Sequence, residues 1–210
     1  YEWSIGSNVV GSSAALTLSP SIAAVGDTVI CTVSVSDGYG GSDTTTATAT
    51  IQNTDPTMGT VSISPSTATV TELLTCSASG TDLNDGTLTA TYAWTNDTTV
   101  ATLGSSATLQ LDSTISSPDD IITCTVTFTD NDAASVSDSA NVIISNTAPA
   151  FDVAAAISPS TGIYTGTELT CSSTASDTDD GSITPTYEWT VGTNTVSSTY
   201  TYTVSASDTN

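Results

Sequence analysis

The strongest constraint on how this chain folds is that it repeats itself. Tyr1-Glu2-Trp3-Ser4-Ile5-Gly6-Ser7-Asn8 recurs as Tyr187-Glu188-Trp189-Thr190-Val191-Gly192-Thr193-Asn194, with a third version at Tyr92-Ala93-Trp94-Thr95-Asn96. The offsets are 91 residues from Tyr1 to Tyr92 and 95 from Tyr92 to Tyr187. Asn53-Thr54-Asp55-Pro56 returns 93 residues later as Asn146-Thr147-Ala148-Pro149. Cys31 and Cys124 are 93 apart, and Cys76 and Cys171 are 95 apart. Four landmarks in one register define a unit of roughly 93 residues, the mark of a repeat architecture.

The unit boundary falls after each Asn-Thr-x-Pro, because proline lacks a backbone donor and suits a linker or the start of an edge strand. Residues 57–149 then form one complete unit, 1–56 the back part of a preceding unit, and 150–210 the front part of a following one. Both flanking parts contain the Tyr-x-Trp strand, so they do not add up to a single unit. The expectation is a window cut from a longer tandem array.

Within the complete unit apolar residues alternate along short runs. These are Val61 and Ile63; Leu74, Cys76 and Ala78; Leu88, Ala90, Tyr92 and Trp94; Leu109 and Leu111; Ile122, Cys124, Val126 and Phe128; and Ala140, Val142 and Ile144. Each run is bounded by Gly, Asp, Asn, Ser or Pro, and none shows a 3.6-residue period. Six or seven strands in one unit predict an all-β antiparallel sandwich.

Composition supports order. Apolar residues make up 37% of the chain, and 78 of its 210 residues are Ser or Thr. Val, Ile, Leu and Ala alternating with hydroxyl residues is the make-up of strands with one buried face, not of a disordered polyanion. No run of about 18 apolar residues is present to span a bilayer, and the first residues lack the basic and apolar regions of a signal peptide.

The charge balance excludes several partners and chemistries. There is no Lys, Arg or His against 22 acids, a formal charge of −22. Nothing neutralises a phosphate backbone or an anionic membrane surface, so nucleic-acid and anionic-membrane partners are not expected. Histidine-based triads, histidine zinc sites and lysine Schiff bases are absent by composition. Two carboxylates of glycosidase type can always be picked from 22, so their presence carries no weight, and no enzyme activity is expected.

Cys76, Trp94 and Cys124 occur in the order that places a Cys on strand B, a Trp on strand C and a Cys on strand F of an immunoglobulin-like sandwich. All three lie on the inward parity of their runs, which predicts a Cys76–Cys124 disulfide and an oxidising compartment. On this reading the partner of Cys31 precedes residue 1 and that of Cys171 follows residue 210. Buried free thiols, or a Cys31–Cys171 bridge between chains, are the alternatives.

Leu74-Thr75-Cys76-Ser77-Ala78-Ser79-Gly80-Thr81-Asp82, Tyr92-Ala93-Trp94, Asp120-Ile121-Ile122-Thr123-Cys124-Thr125-Val126 and the closing Asn146-Thr147-Ala148-Pro149 resemble the tandem immunoglobulin-like, PKD-like and cadherin-like repeats of giant microbial cell-surface proteins. The resemblance covers the whole chain. It implies a linear array of sandwiches in an extracellular or cell-surface filament, stalk or fibre, with other copies or further repeats as partners. A cell-surface adhesin binding a glycan or protein through its loops, and the stalk of a secreted enzyme, are the other roles it allows. The chain departs from antibody-type domains in having Ile122 and Val29 where the tyrosine corner would stand. It also lacks the cadherin linker Asp-x-Asn-Asp-Asn.

The acids gather in loops. Asp82, Asn84 and Asp85 lie in the expected B–C loop, Asp177, Asp179 and Asp180 in its repeat, and Asp130, Asn131 and Asp132 in the F–G loop. Those loops share one pole of a sandwich with the entering linker, so Asn53 and Asp55 are expected beside Asp82, Asp85, Asp130 and Asp132. Hard oxygen ligands crowded together in a chain without cations suit Ca²⁺ better than Mg²⁺, against the plainer reading that Asp and Asn are good turn residues. Tyr92 and Trp94 share inward parity with Leu88 and Ala90, which points to core and not to a sugar platform. Asn96-Asp97-Thr98 is the only N-glycosylation sequon, expected on a surface loop just past its strand.

Overall fold

The computed structural model describes residues 1–209. In residues 1–56, β1 (Glu2–Ile5), β2 (Asn8–Gly11), β3 (Thr28–Ser36) and β4 (Ser42–Thr50) form one antiparallel sheet in the order β2-β1-β3-β4.

Residues 57–149 contain β5 (Thr57–Met58), β6 (Ser62–Ser64), β7 (Leu73–Ser77), β8 (Gly80–Asp82), β9 (Gly86–Thr87), β10 (Ala90–Asn96), β11 (Ala101–Gly104), β12 (Thr108–Gln110), β13 (Ile121–Thr129) and β14 (Ser135–Ile143). They make a sheet β11-β10-β13-β14, a second sheet β12-β7-β6, and a small ribbon β5-β8-β9. Side chains from both main sheets enclose one core that includes Leu74, Trp94, Leu111, Ile122, Val126, Phe128 and Ile144. The expected inward parity is observed: Ile122, Cys124, Val126 and Phe128 are buried, the threonines between them are half-buried, and the flanking Ile121 and Thr129 are exposed. Cys76 on β7 and Cys124 on β13 are joined across the sheets by a disulfide of 2.07 Å. By chain entropy, closing a separation of 48 residues is worth about 4 kcal/mol.

The rest of the chain holds β15 (Ala150–Ser158), β16 (Glu168–Asp177), β17 (Gly181–Ile183), β18 (Trp189–Val191), β19 (Asn194–Ser197) and β20 (Thr201–Thr203), then a 3₁₀ turn at Ala206–Thr209. β16 lies between β15 and β17 and also pairs with β20, while β18 and β19 form a separate hairpin. The molecule is therefore all-β with several antiparallel sheets.

The sequence repeat is also a repeat of strand register. Trp3 lies opposite Cys31 as Trp94 lies opposite Cys124. Ile63 faces Cys76 as Ile157 faces Cys171. All three Trp indoles donate to a backbone carbonyl at matching positions: Trp3 to Ser13 at 2.8 Å, Trp94 to Ser106 at 2.8 Å and Trp189 to Thr199 at 2.9 Å. These bonds let a large ring enter a core with its one donor satisfied. Trp94 is wholly buried, whereas Trp3 and Trp189 are half-buried. Tyr92 packs partly buried against the middle core, in line with the parity argument.

Two glycines have clear physical roles. Gly80 lies under Phe128, and a Cβ there would stand 2.3 Å from Phe128 Cγ. Gly86 closes the β8–β9 turn at φ 78°, and Gly181 closes the β16–β17 turn at φ 75°, a left-handed geometry costly for side-chain-bearing residues.

Candidate functional site: the joints between segments

The features that recur at both segment boundaries are the Asn-Thr-x-Pro linker and the acidic turn it meets. In the first turn, Asp82 Oδ1 accepts the backbone N–H groups of Asn84 at 2.6 Å and Asp85 at 3.1 Å. This local Asx closure, which short acidic side chains favour, presents Asn84 to the linker. Thr54 grips it twice: its backbone N–H donates to Asn84 Oδ1 at 3.1 Å, and its hydroxyl donates to the same oxygen in a shorter contact. The hydroxyl also lies 3.3 Å from Asp82 Oδ2.

Asn53 reaches the neighbouring loop, where its Nδ2 donates to Asp130 Oδ2 at 2.8 Å. Asp130 Oδ1 is held by the N–H groups of Asp132 at 3.0 Å and Ala134 at 2.8 Å. Asp85 ties the two loops together by accepting from the backbone of Asn131 at 3.0 Å and from its side-chain amide at 2.5 Å.

The second joint repeats the device. Asp177 Oδ1 accepts from Asp179 N at 2.7 Å and Asp180 N at 3.3 Å. Thr147 donates its N–H at 2.6 Å and its hydroxyl at 2.8 Å to Asp179 Oδ2. Thr147 stands 93 residues after Thr54, and Asp179 stands 95 after Asn84. The acceptor is an amide oxygen in one joint and a carboxylate in the other, and hydrogen bonds to the charged group are the stronger kind.

Several sequence expectations need adjustment here. Asn53 does approach the acidic loops, and the second linker residue to bond them is Thr54; Asp55 is exposed and makes none of these contacts. The Thr54 hydroxyl can donate to those loops, whereas the Asp55 carboxylate can only accept. Asp82, Asp130 and Asp177 are nevertheless buried, at 6%, 7% and 9% exposure, and each accepts hydrogen bonds from neighbouring donors. Among the described residues no three acids or cysteines are grouped to hold a metal ion. Asp82 and Asp85 lie in one turn, Asp130 and Asp132 in a second that Asn131 ties to Asp85, and Asp177, Asp179 and Asp180 in the repeat of the first. Two acceptors in the joints, Asn53 Oδ1 and Asp179 Oδ1, are buried without a hydrogen-bond partner.

The expected surface position of Asn96 is corrected. Its side chain is 0% exposed, and its Nδ2 donates to Asp120 Oδ2 at 2.7 Å and to the Ile115 carbonyl at 3.2 Å. Its Oδ1 accepts from the backbones of Thr98 and Thr99. The sequon coincides with an internal strand-end brace, so a glycan on that nitrogen is incompatible with the folded segment.

A groove of about 600 Å³ runs beside the first joint, with Leu18, Pro20 and Ile51 on one side and Leu83, Asp85 and Asp132 on the other. Away from the joints, Asp97 is held below the usual carboxylate range by the hydroxyls of Thr123 and Thr95, and Asp112 by the hydroxyl and backbone of Thr114. No family model matches the chain, and neither a curated protein nor a solved structure does.

Proposed function

We propose that the chain is a structural, non-catalytic segment of an extracellular filament, stalk or surface fibre, composed of tandem immunoglobulin-like units. The observation that carries this reading is the duplicated joint: Thr54 on Asn84 and Thr147 on Asp179, each through both its N–H and its hydroxyl. A contact that recurs at the repeat period sets a recurring geometry between neighbours, so stability and shape propagate from unit to unit. The disulfide supports an oxidising, extracytoplasmic setting. A charge of −22 without a single Lys or Arg keeps such an array soluble and resists lateral association. Electron imaging of the particle is the test: units running end to end at constant spacing are expected, and a compact particle with unrelated contacts would overturn it.

Calcium stiffening of the joints belongs to the same proposal. The donor set is all oxygen, as Ca²⁺ prefers, and the unpartnered Asn53 Oδ1 and Asp179 Oδ1 supply open lone pairs beside Asp130 and Asp177. Calorimetric titration should show heat on adding Ca²⁺, and a chelator should lower the melting temperature. No heat and an unchanged melting temperature would remove calcium and leave the Thr clamps as the sole joint.

Adhesion is the second reading, and Tyr39 favours it. This ring is 100% exposed in the turn between β3 and β4, where an aromatic side chain can stack on a sugar. Binding on a glycan array that disappears in Tyr39→Ala would establish it.

A further inference from the structure

The first joint sets the groups of an acyl transfer against one another. Thr54 Oγ1 meets Asn84 Oδ1 in a contact shorter than an ordinary hydrogen bond, so the amide carbon lies one C=O bond, about 1.2 Å, behind the atom it touches. The Thr54 backbone N–H donates to the same Oδ1 at 3.1 Å. An N–H can only donate, so that bond fixes the Asn84 amide with its oxygen toward the linker. Asp82 Oδ2 stands 3.3 Å from the Thr54 hydroxyl. The other oxygen of Asp82 is occupied by the N–H groups of Asn84 at 2.6 Å and Asp85 at 3.1 Å, which leaves Oδ2 for the hydroxyl. Thr54 and Asn84 are half-buried and Asp82 is buried.

We infer that Thr54 and Asn84 close into a side-chain ester that locks the first joint covalently. Asp82 Oδ2 takes the hydroxyl proton as general base, and Thr54 Oγ1 attacks Asn84 Cγ. The Thr54 N–H stabilises the negative charge that develops on Oδ1. The intermediate collapses with cleavage of the Cγ–Nδ2 bond. The proton held by Asp82 passes to the departing nitrogen, which leaves as ammonia. One hydroxyl and one primary amide thus become one ester and one ammonia, with no oxidant and no co-reactant. Folding brings the groups into contact, and well-oriented groups held together react with effective molarities of about 10⁵–10⁸ M.

The second joint lacks the electrophile. Thr147 offers its N–H and hydroxyl in the same way, but to Asp179 Oδ2. A carboxylate carries no amine to expel and its charge repels a nucleophile, so no ester forms there. Until the first joint closes it is the hydrogen-bonded clamp described above; afterwards Thr54 becomes the costlier of the two threonines to lose. The inference goes beyond the filament reading and does not need it, because both ends of the bond lie in one chain.

The test uses the 210-residue chain, refolded and incubated at neutral pH with a chelator present. Its intact mass should fall by one ammonia, and peptic digestion should yield one linked pair of peptides containing Thr54 and Asn84. Hydroxylamine, which cleaves esters, should separate that pair. Thr54→Ser keeps a hydroxyl and should keep the mass loss. Thr54→Val and Asn84→Asp should stay at their sequence masses, and Asp82→Asn should slow closure about 100-fold or more. Near-UV dichroism of Trp94 checks that each variant is folded. A folded chain that keeps its full mass after prolonged incubation would overturn the inference. Ammonia loss that persists in Thr54→Val would also overturn it, since that marks a cyclic imide at Asn84. Closure at the original rate in Asp82→Asn would remove Asp82 as the base. End-to-end units imaged in a chain of full mass would leave the filament reading standing without the bond. Compact particles that carry the bond would do the reverse.

Discussion

Strands β3 and β13 lie one repeat apart and pair with their neighbours in the same register, Val29 opposite Ala49 and Ile122 opposite Val142. Their surroundings differ. β13 is covered by β7 and its neighbours, and its four inward side chains are essentially inaccessible. β3 has no such sheet over it among the described residues. Its inward side grades from a buried Val29 to a largely exposed Val35. Hydrogen-bonded pairing is thus a property each segment achieves alone, whereas burial requires a second layer. Since apolar burial is the main favourable term in folding, two regions with the same strand pairing should differ greatly in how much each side chain contributes.

The sharpest way to break that comparison is to truncate the same position in both. Phe128→Ala should cost about 3–5 kcal/mol in denaturant unfolding, while Val35→Ala should stay within about 0.5 kcal/mol. Equal effects would mean the first segment is covered in solution. Reducing the Cys76–Cys124 bond should remove about 4 kcal/mol from the middle segment. Thermal melts followed by near-UV dichroism of Trp94 should report that loss, with the first segment's transition unmoved.

Gly80→Ala comes next. Its new methyl meets the Phe128 ring, and overpacking of that kind costs about 1–3 kcal/mol. The last segment already carries Ala175 at the matching place, two residues before the repeated Asp, so Ala175→Gly should be far milder. At the joints, Thr54→Val and Thr147→Val each remove a hydroxyl donor worth about 1 kcal/mol or somewhat more. The Thr147 change should be the larger because its acceptor is charged. Amide exchange at Asn84 and Asp179 would rank the two.

The smallest effect expected is that of acid. Asp97 and Asp112 have lowered pKa values in the folded state, through the Thr123 and Thr114 hydroxyls respectively. Their contribution is therefore complete above the ordinary aspartate range and disappears as pH falls through it to the lowered values. Thr123→Val should flatten that part of the pH–stability curve. Both aspartates are solvent-exposed, so the change should also shrink with added salt.

Much of the middle segment was legible in the chain itself. Period-2 runs located β7, β10, β13 and β14, because a strand with one buried face leaves its alternation in the sequence. Parity placed Cys76, Trp94 and Cys124 inward together, and the disulfide follows. The joints were legible only in outline. The acidic turns were visible as composition, but their partner in the linker is Thr54 and not Asp55. Which of four consecutive linker residues turns toward the loop depends on how the chain leaves β4, and no local pattern records that. Asn96 shows the same limit. Its sequon reads as surface, yet the strand end carries it inward to Asp120, a partner 24 residues away.

The sequence by itself determined the repeat, the strand parity, the cysteine pairing and a charge of one sign, because these follow from local periodicity and composition. The tertiary structure alone decided which copies of a repeated strand are buried. It also decided which acids meet a donor across a joint and which asparagine is sealed inside. Those outcomes depend on what a second layer of structure brings to within a few ångströms, and residues far apart in the chain leave no local mark of that approach.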